Sequence, residues 1–193
     1  MSRLLTALAF GLILFPASAF ALPVTFTTTL SGAIASPPNT SPGTGTASVM
    51  YDASTHMLTV DITFSGLESP DFAAHIHCCV TPPGAADIAT TVPTFPGFPS
   101  GVTSGTYMHT LDLTQASSWN PAFVTANGGT VTGAEAALAA GLDVGHAYVN
   151  IHTIMFPEGE ISGFLTPEPT TGVLLGVGLT GLAAARRQRH RSS

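Results

Sequence analysis

His56-Met57-Leu58-Thr59-Val60-Asp61-Ile62-Thr63-Phe64 places Leu58, Val60, Ile62 and Phe64 at alternate positions, with Thr59, Asp61 and Thr63 between them. A period of two puts the apolar set on one side of an extended chain and the polar set on the other. The stretch therefore reads as a β-strand with one buried face. Upstream, residues 24–30 (Val-Thr-Phe-Thr-Thr-Thr-Leu) alternate in the same way, and residues 44–51 read as a second strand. Asp52-Ala53-Ser54-Thr55 turns the chain into the central stretch, and the Pro- and Asn-rich residues 36–43 form a loop.

Downstream, Ser65-Gly66 ends the strand and residues 72–79 form another. Residues 81–101 carry five prolines and read as an ordered connection with Phe95 and Phe98 tucked onto the sheet. A strand at 105–113 follows, and then a turn or short helix at 117–123 with the single Trp119. Thr132-Gly133-Ala134-Glu135 matches a capping box, starting a short helix that Gly141 stops. Strands at 146–154 and 159–166 flank a turn at Met155-Phe156-Pro157-Glu158. Many short strands and one short helix predict a mainly-β chain, a single antiparallel β-sandwich over residues 22–166.

The two ends carry addresses. Arg3, an uncharged apolar run and Ala19-Phe20-Ala21 make a signal peptide of residues 1–21, cut after Ala21. Pro167-Glu168-Pro169 is followed by an uncharged run at 172–185, a hydrophobic helix short of the ~20 residues that span a bilayer comfortably. Arg186, Arg187, Arg189 and Arg191 close the chain and belong on the cytoplasmic side of an inner membrane. All five basic residues thus lie at the ends, and all eleven acids lie between Asp52 and Glu168. The exported part sets eleven carboxylates against no Lys or Arg. Nucleic acid is excluded as a partner, while cations, metal ions among them, are favoured.

Two stretches concentrate the chemistry. In Ala74-His75-Ile76-His77-Cys78-Cys79, a His-x-His pair on a strand projects both rings from one face, about 6.5 to 7 Å apart. His152 shares a face with His146, Tyr148 and Asn150, opposite an apolar Ala147, Val149 and Ile151. If the two strands pair, His75, His77 and His152 converge, and an imidazole triad suits Zn or Cu. Glu160 and His146 are candidates to orient the rings from behind. The alternative is that these histidines only hydrogen-bond to backbone and to one another at strand ends. Cys78 and Cys79 have three readings: a vicinal disulfide where the strand ends, one thiolate joining the histidines, or one buried and one exposed thiol. His56, His109 and His190 read as ordinary surface or turn residues. No Ser-His-Asp set, paired carboxylates or complete Cys-His centre is present, so the chain is expected not to be an enzyme.

Several of these residues also carry a resemblance. Leu30-Ser31-Gly32, Phe64-Ser65-Gly66-Leu67, Ala74-His75-Ile76-His77, and Gly145-x-Ala147-Tyr148-x-Asn150-Ile151-His152-Thr153 running through Phe156-Pro157-x-Gly159-Glu160-Ile161-x-Gly163 resemble the CHRD domain, the module named after chordin. Ser162 departs from the Arg found in many members. The resemblance implies an immunoglobulin-like or dismutase-like β-sandwich, and in chordin itself the module belongs to a protein that binds secreted growth factors. Residues 167–193 resemble a PEP-CTERM sorting signal, which implies an exosortase as processing partner in a Gram-negative bacterium that makes extracellular polysaccharide. The expected function is a structural or adhesive module of the cell surface or matrix, with polysaccharide or surface proteins as partners. The alternative is a His-dependent Cu- or Zn-binding, or redox-active, extracytoplasmic protein.

Overall fold

The computed structural model describes residues 22–168. The signal segment with Ala19 and Ala21, the sorting residue Pro169, and the C-terminal apolar and Arg-rich run lie outside the described residues. In chain order the elements are β1 (Val24–Ser31), β2 (Thr44–Asp52), β3 (Met57–Ser65), β4 (Asp71–Cys78), β5 (Gly105–Asp112), α1 (Pro121–Ala126), α2 (Val131–Asp143), β6 (Ala147–Thr153), β7 (Ile161–Phe164) and the two-residue β8 (Thr166–Pro167).

Alternation decides the central strands. Leu58, Val60, Ile62 and Phe64 of β3 are buried, while Asp61 and Thr63 face solvent. β1, β2, β3 and β5 pair antiparallel in unbroken register, with Thr29 opposite Thr46, Thr46 opposite Thr63, and Thr63 opposite Thr106. β7 and β8 continue from β1, and β6 and β4 from β7, giving the order β4-β6-β7-β1-β2-β3-β5. The strands expected to divide between two sheets therefore share one hydrogen-bonded path. Residues from its opposite ends, Ala74, Ile76, Val149 and Ile151 at one and Val60, Ile62, Tyr107 and Leu111 at the other, meet in a single core. The sheet must curl over that core to bury them, as strand twist permits.

The prolyl connection is ordered, as expected. Phe95 and Phe98 are buried, and Phe95 stacks on Tyr107 with ring centroids 5.6 Å apart. The loop also covers the free edge of β4. Ala89 and Thr90 donate their backbone N–H groups to the Ile76 carbonyl, Phe95 donates to Ala74, and Cys78 donates to Asp87. An edge strand finished in this way offers no open ladder to another chain.

The helical segment departs from expectation. The turn or short helix expected at 117–123 is a short helix at 121–126, so there are two α-helices, and α2 begins at the cap Thr130, whose hydroxyl accepts from the Gly133 N–H. Gly141 does not stop α2. It lies inside the helix, at a place where a Cβ would strike the sulfurs of both Cys78 and Cys79. Glu135 does not close a capping box either. It accepts from the Tyr51 hydroxyl at 2.9 Å and is hydrogen-bonded to His56 Nδ1 at 2.9 Å. His56 is thus more than a turn residue: it holds a left-handed φ of 58° and ties the β2–β3 turn to α2. No helix among the described residues is long and apolar enough to cross a membrane.

Candidate metal centre

β4 and β6 pair antiparallel, setting His77 opposite Tyr148, His75 opposite Asn150, and Ala73 opposite His152. One face of the pair sends Ala74, Ile76, Val149 and Ile151 into the core. The other face carries all three histidines. On most antiparallel sheets that second face would meet water, but here the 81–101 loop and the 155–159 turn lie over it. His75 is left 3 % exposed, and His77 and His152 7 % each. The methyl of Ala73 leaves room across the ladder for the larger His152 ring. The centroid separations are 5.2 Å for His75–His152, 5.6 Å for His77–His152 and 5.9 Å for His75–His77.

Each ring is pinned by one backbone carbonyl. His75 Nε2 donates to Pro93 O at 2.7 Å, His77 Nδ1 to Ala86 O at 2.8 Å, and His152 Nδ1 to Pro157 O at 2.8 Å. A carbonyl only accepts, so the proton of each neutral ring sits on the bonded nitrogen. His75 Nδ1, His77 Nε2 and His152 Nε2 are left with bare lone pairs. All three are buried and without a partner, and one ligand nitrogen from each ring lies within 4.8 Å of the others. Burial pushes His75 down to about 4, helped by the neighbouring His152, and His77 likewise to about 4; burial also lowers His152. The rings are therefore neutral at physiological pH, the protonation state in which imidazole binds metals.

A buried acceptor without a donor costs about 1–3 kcal/mol, and this structure has one on each of three neighbouring rings. The reading in which the histidines serve only backbone hydrogen bonds accounts for one nitrogen of each ring and leaves the other unexplained. A metal ion accounts for both, since a ligating histidine characteristically donates its second N–H to a neighbouring acceptor. The residues present thus fit the Zn or Cu of the alternative reading that the sequence leaves open.

The expected supporting residues do not perform that task. Glu160 is fully buried but accepts from the Ser41 hydroxyl, the Glu68 N–H at 2.6 Å and the Thr153 hydroxyl at 2.7 Å, stapling three segments together. It is hydrogen-bonded to none of the three rings. His146 precedes β6, where its N–H donates to Gly141 O and its carbonyl accepts from Val80. Cys78 and Cys79 form a vicinal disulfide, so neither is available as a thiolate ligand. Cys78 lies on the core side of β4, as alternation requires.

Tyr148 does support the site. Its ring stacks on His77 with centroids 4.9 Å apart, and its hydroxyl bridges the backbone N–H and carbonyl of Ala86, the same carbonyl that holds His77. The sequence placed Tyr148 on the histidine face but gave it no role. The orienting carbonyls carry no side-chain signal at all, although the prolines at two of the three mark the loops that supply them.

Two family models match the chain. The family model described as "CHRD domain" matches residues 26–165, and that described as "PEP-CTERM protein-sorting motif" matches residues 165–188. No curated protein and no solved structure matches the chain. The sorting motif marks an exported protein of a Gram-negative bacterium, transiently held at the membrane and processed by an exosortase. Pro167 closes β8 and Glu168 donates its N–H to Thr25 O, so the motif leaves directly from the edge of the β1 ladder.

Proposed function

We propose, from the premise that this chain belongs to the CHRD family and carries a PEP-CTERM sorting signal, that it is a non-enzymatic module displayed at the cell surface or in the surrounding matrix, where it holds one transition-metal ion on His75, His77 and His152. The observation that carries the reading is a cluster of three buried imidazoles, each offering a ligand nitrogen within 4.8 Å of the others and each holding one nitrogen without a partner. Its curled sheet serves as a two-layer sandwich of the immunoglobulin or dismutase type, a rigid frame for the two histidine strands. Eleven carboxylates with no Lys or Arg in the exported part draw cations toward the module. The test is elemental analysis of the purified full chain together with thermal melts. Near one equivalent of Cu or Zn should be retained, and added metal at a hundred times its dissociation constant should stabilise the fold by about 2.7 kcal/mol. Both effects should vanish in His75→Ala and in His152→Ala. Wild-type protein that holds no stoichiometric metal after reconstitution sinks the proposal.

A second reading, adhesion to extracellular polysaccharide, draws on the opposite region. The outer face of β1, β2, β3 and β5 presents Thr29, Thr46, Thr63 and Thr106 in one cross-strand row, with Thr27, Ser48 and Asp61 in the next. Such a hydroxyl array offers donors and acceptors to a neutral glycan and contains no cation for an acidic one. Retention of the full chain on matrix polysaccharide, lost in a Thr46→Val, Thr63→Val double variant, would favour this reading.

A further inference from the structure

The ligand set at the histidine centre restricts the ion it takes. The cluster contains imidazoles alone: among the described residues no carboxylate or thiolate joins it. The groups behind the rings are equally uncharged, three backbone carbonyls rather than carboxylates. An ion bound there keeps its whole charge in a buried site, bordered by the rings of Tyr148, Phe95 and Phe72. The cost of burying an ion rises as the square of its charge, so a divalent ion loses about four times as much solvation as a monovalent one. Asp87 and Glu158 are the acids that act on His77 and His152. Both are exposed, and water and salt screen their field.

Coordination number points the same way. Zinc wants four ligands, and a three-histidine zinc site completes the set with water or hydroxide. The three free nitrogens here are shut off from bulk solvent, and the disulfide removes the neighbouring thiols as a fourth ligand. Cupric ion prefers a square or tetragonal arrangement, which three rings from two adjacent strands do not supply. A closed-shell monovalent ion has neither demand: it has no directional d-electron preference and accepts three donors.

We propose that this centre is selective for cuprous copper over zinc and cupric ion, as a three-coordinate, all-nitrogen site. The proposal rests on the metal-binding reading above and goes further in naming the charge and geometry of the ion. Silver(I), monovalent and inert to redox under the assay conditions, is the matched probe.

The experiment titrates the purified full chain anaerobically with copper(I) against a chromogenic cuprous chelator, with silver(I) by calorimetry, and with zinc(II) against a zinc chelator. Copper(I) and silver(I) should each bind at one equivalent, with zinc weaker by about a hundredfold or more. His75→Asn and His152→Asn should each weaken copper(I) by at least about tenfold. X-ray absorption at the copper edge of the wild-type protein gives a readout that does not depend on variants folding, and should show three nitrogen neighbours and no sulfur. Zinc binding as tightly as copper(I), or sulfur in the copper shell, overturns the selectivity while leaving a metal site in place. Failure to bind any of the three ions overturns the selectivity and the metal reading together.

Discussion

The two ends of the sheet path treat the same alternation in opposite ways. In β1, β2 and β3 the outward positions are mostly Thr, Ser and Asp, with Met50 among them, and they are largely left to water. In β4 and β6 the corresponding positions are His, Asn and Tyr, and they are buried. A hydroxyl in water needs no protein partner, so the first face makes few side-chain bonds. A polar group out of water needs one, and the second face shows nearly complete satisfaction. Asn150 donates to Glu158 O and accepts from Ser162, Tyr148 serves both groups of Ala86, and each histidine has a carbonyl. Against that background the three bare nitrogens stand out: besides them, Asp71 Oδ2 is the one buried side-chain polar atom among the described residues that lacks a partner.

Acid should separate the two faces most sharply. His75 and His77 are held near pKa 4 in the folded protein by burial, against 6.5 for an exposed ring. The unfolded chain therefore binds more protons than the folded one between those values, and stability falls as pH falls through this window. The expected loss is on the order of 3 kcal/mol per ring between pH 6.5 and 4. Asp52 and Asp112, whose carboxylates are stabilised by hydrogen bonds to nearby Ser and Thr, lose their contribution only below the ordinary 3.8. Asp71, raised by burial, works in the opposite sense. Urea unfolding of the chelator-treated protein at pH 7 and pH 4.5 should show the loss, and a His75→Asn, His77→Asn variant should show a much flatter profile. Equal slopes in the two proteins would mean that the rings are not buried as neutral bases.

Glycine at 159 sharpens the contrast at a single position. Its φ is 130°, and a Cβ there would collide with the Asn150 side chain. Gly159→Ala should destabilise the fold by about 2–4 kcal/mol. It should also weaken metal retention, because Asn150 anchors the turn whose Pro157 carbonyl orients His152. Gly97, in a comparable left-handed conformation with open space around it, should cost only about 1 kcal/mol as Ala and leave metal binding unchanged. Chemical denaturation and metal content measured on the same two variants check both statements.

What could be read ahead of the structure follows from where each signal is carried. Period-two alternation located every long strand to within a residue or two, and the His-x-His spacing with His152 identified the trio the fold assembles. The continuous sheet path was not legible, because strand order depends on long-range pairing that alternation does not encode. Glu160 is a candidate for the rings on sequence grounds because a carboxylate near a histidine strand suits that task. The structure spends it on Ser41, Glu68 and Thr153, far away in sequence except for the last. The actual orienting groups are backbone carbonyls, which every residue possesses and which therefore mark nothing. Gly141 reads as a helix stop because glycine usually is one; in the structure it is an interior helical residue with no room for a Cβ beside the disulfide sulfurs.

A smaller effect tests the helix-to-turn tie that lies outside both faces. Glu135 is buried and joined to Tyr51 and His56. Glu135→Gln removes the charge and one good acceptor geometry, and should cost about 1–2 kcal/mol without altering metal content. A drop in metal retention with this substitution would show that α2 is coupled to the histidine strands more tightly than the separate bonding implies.

The smallest effect belongs to the hydroxyl face. Thr63 lies in a central strand between Thr46 and Thr106, exposed, and makes no side-chain hydrogen bond among the described residues. Thr63→Ala gives up some strand preference and two cross-strand contacts, a loss of no more than about 1 kcal/mol. Metal content and the acid profile should be those of the wild type, since both are set at the other end of the sheet path. A destabilisation of several kcal/mol, measured by the same urea unfolding, would mean that the threonine row is held in a cooperative network. The contrast between a solvated face and a satisfied one would then fail at the position where it is stated most simply.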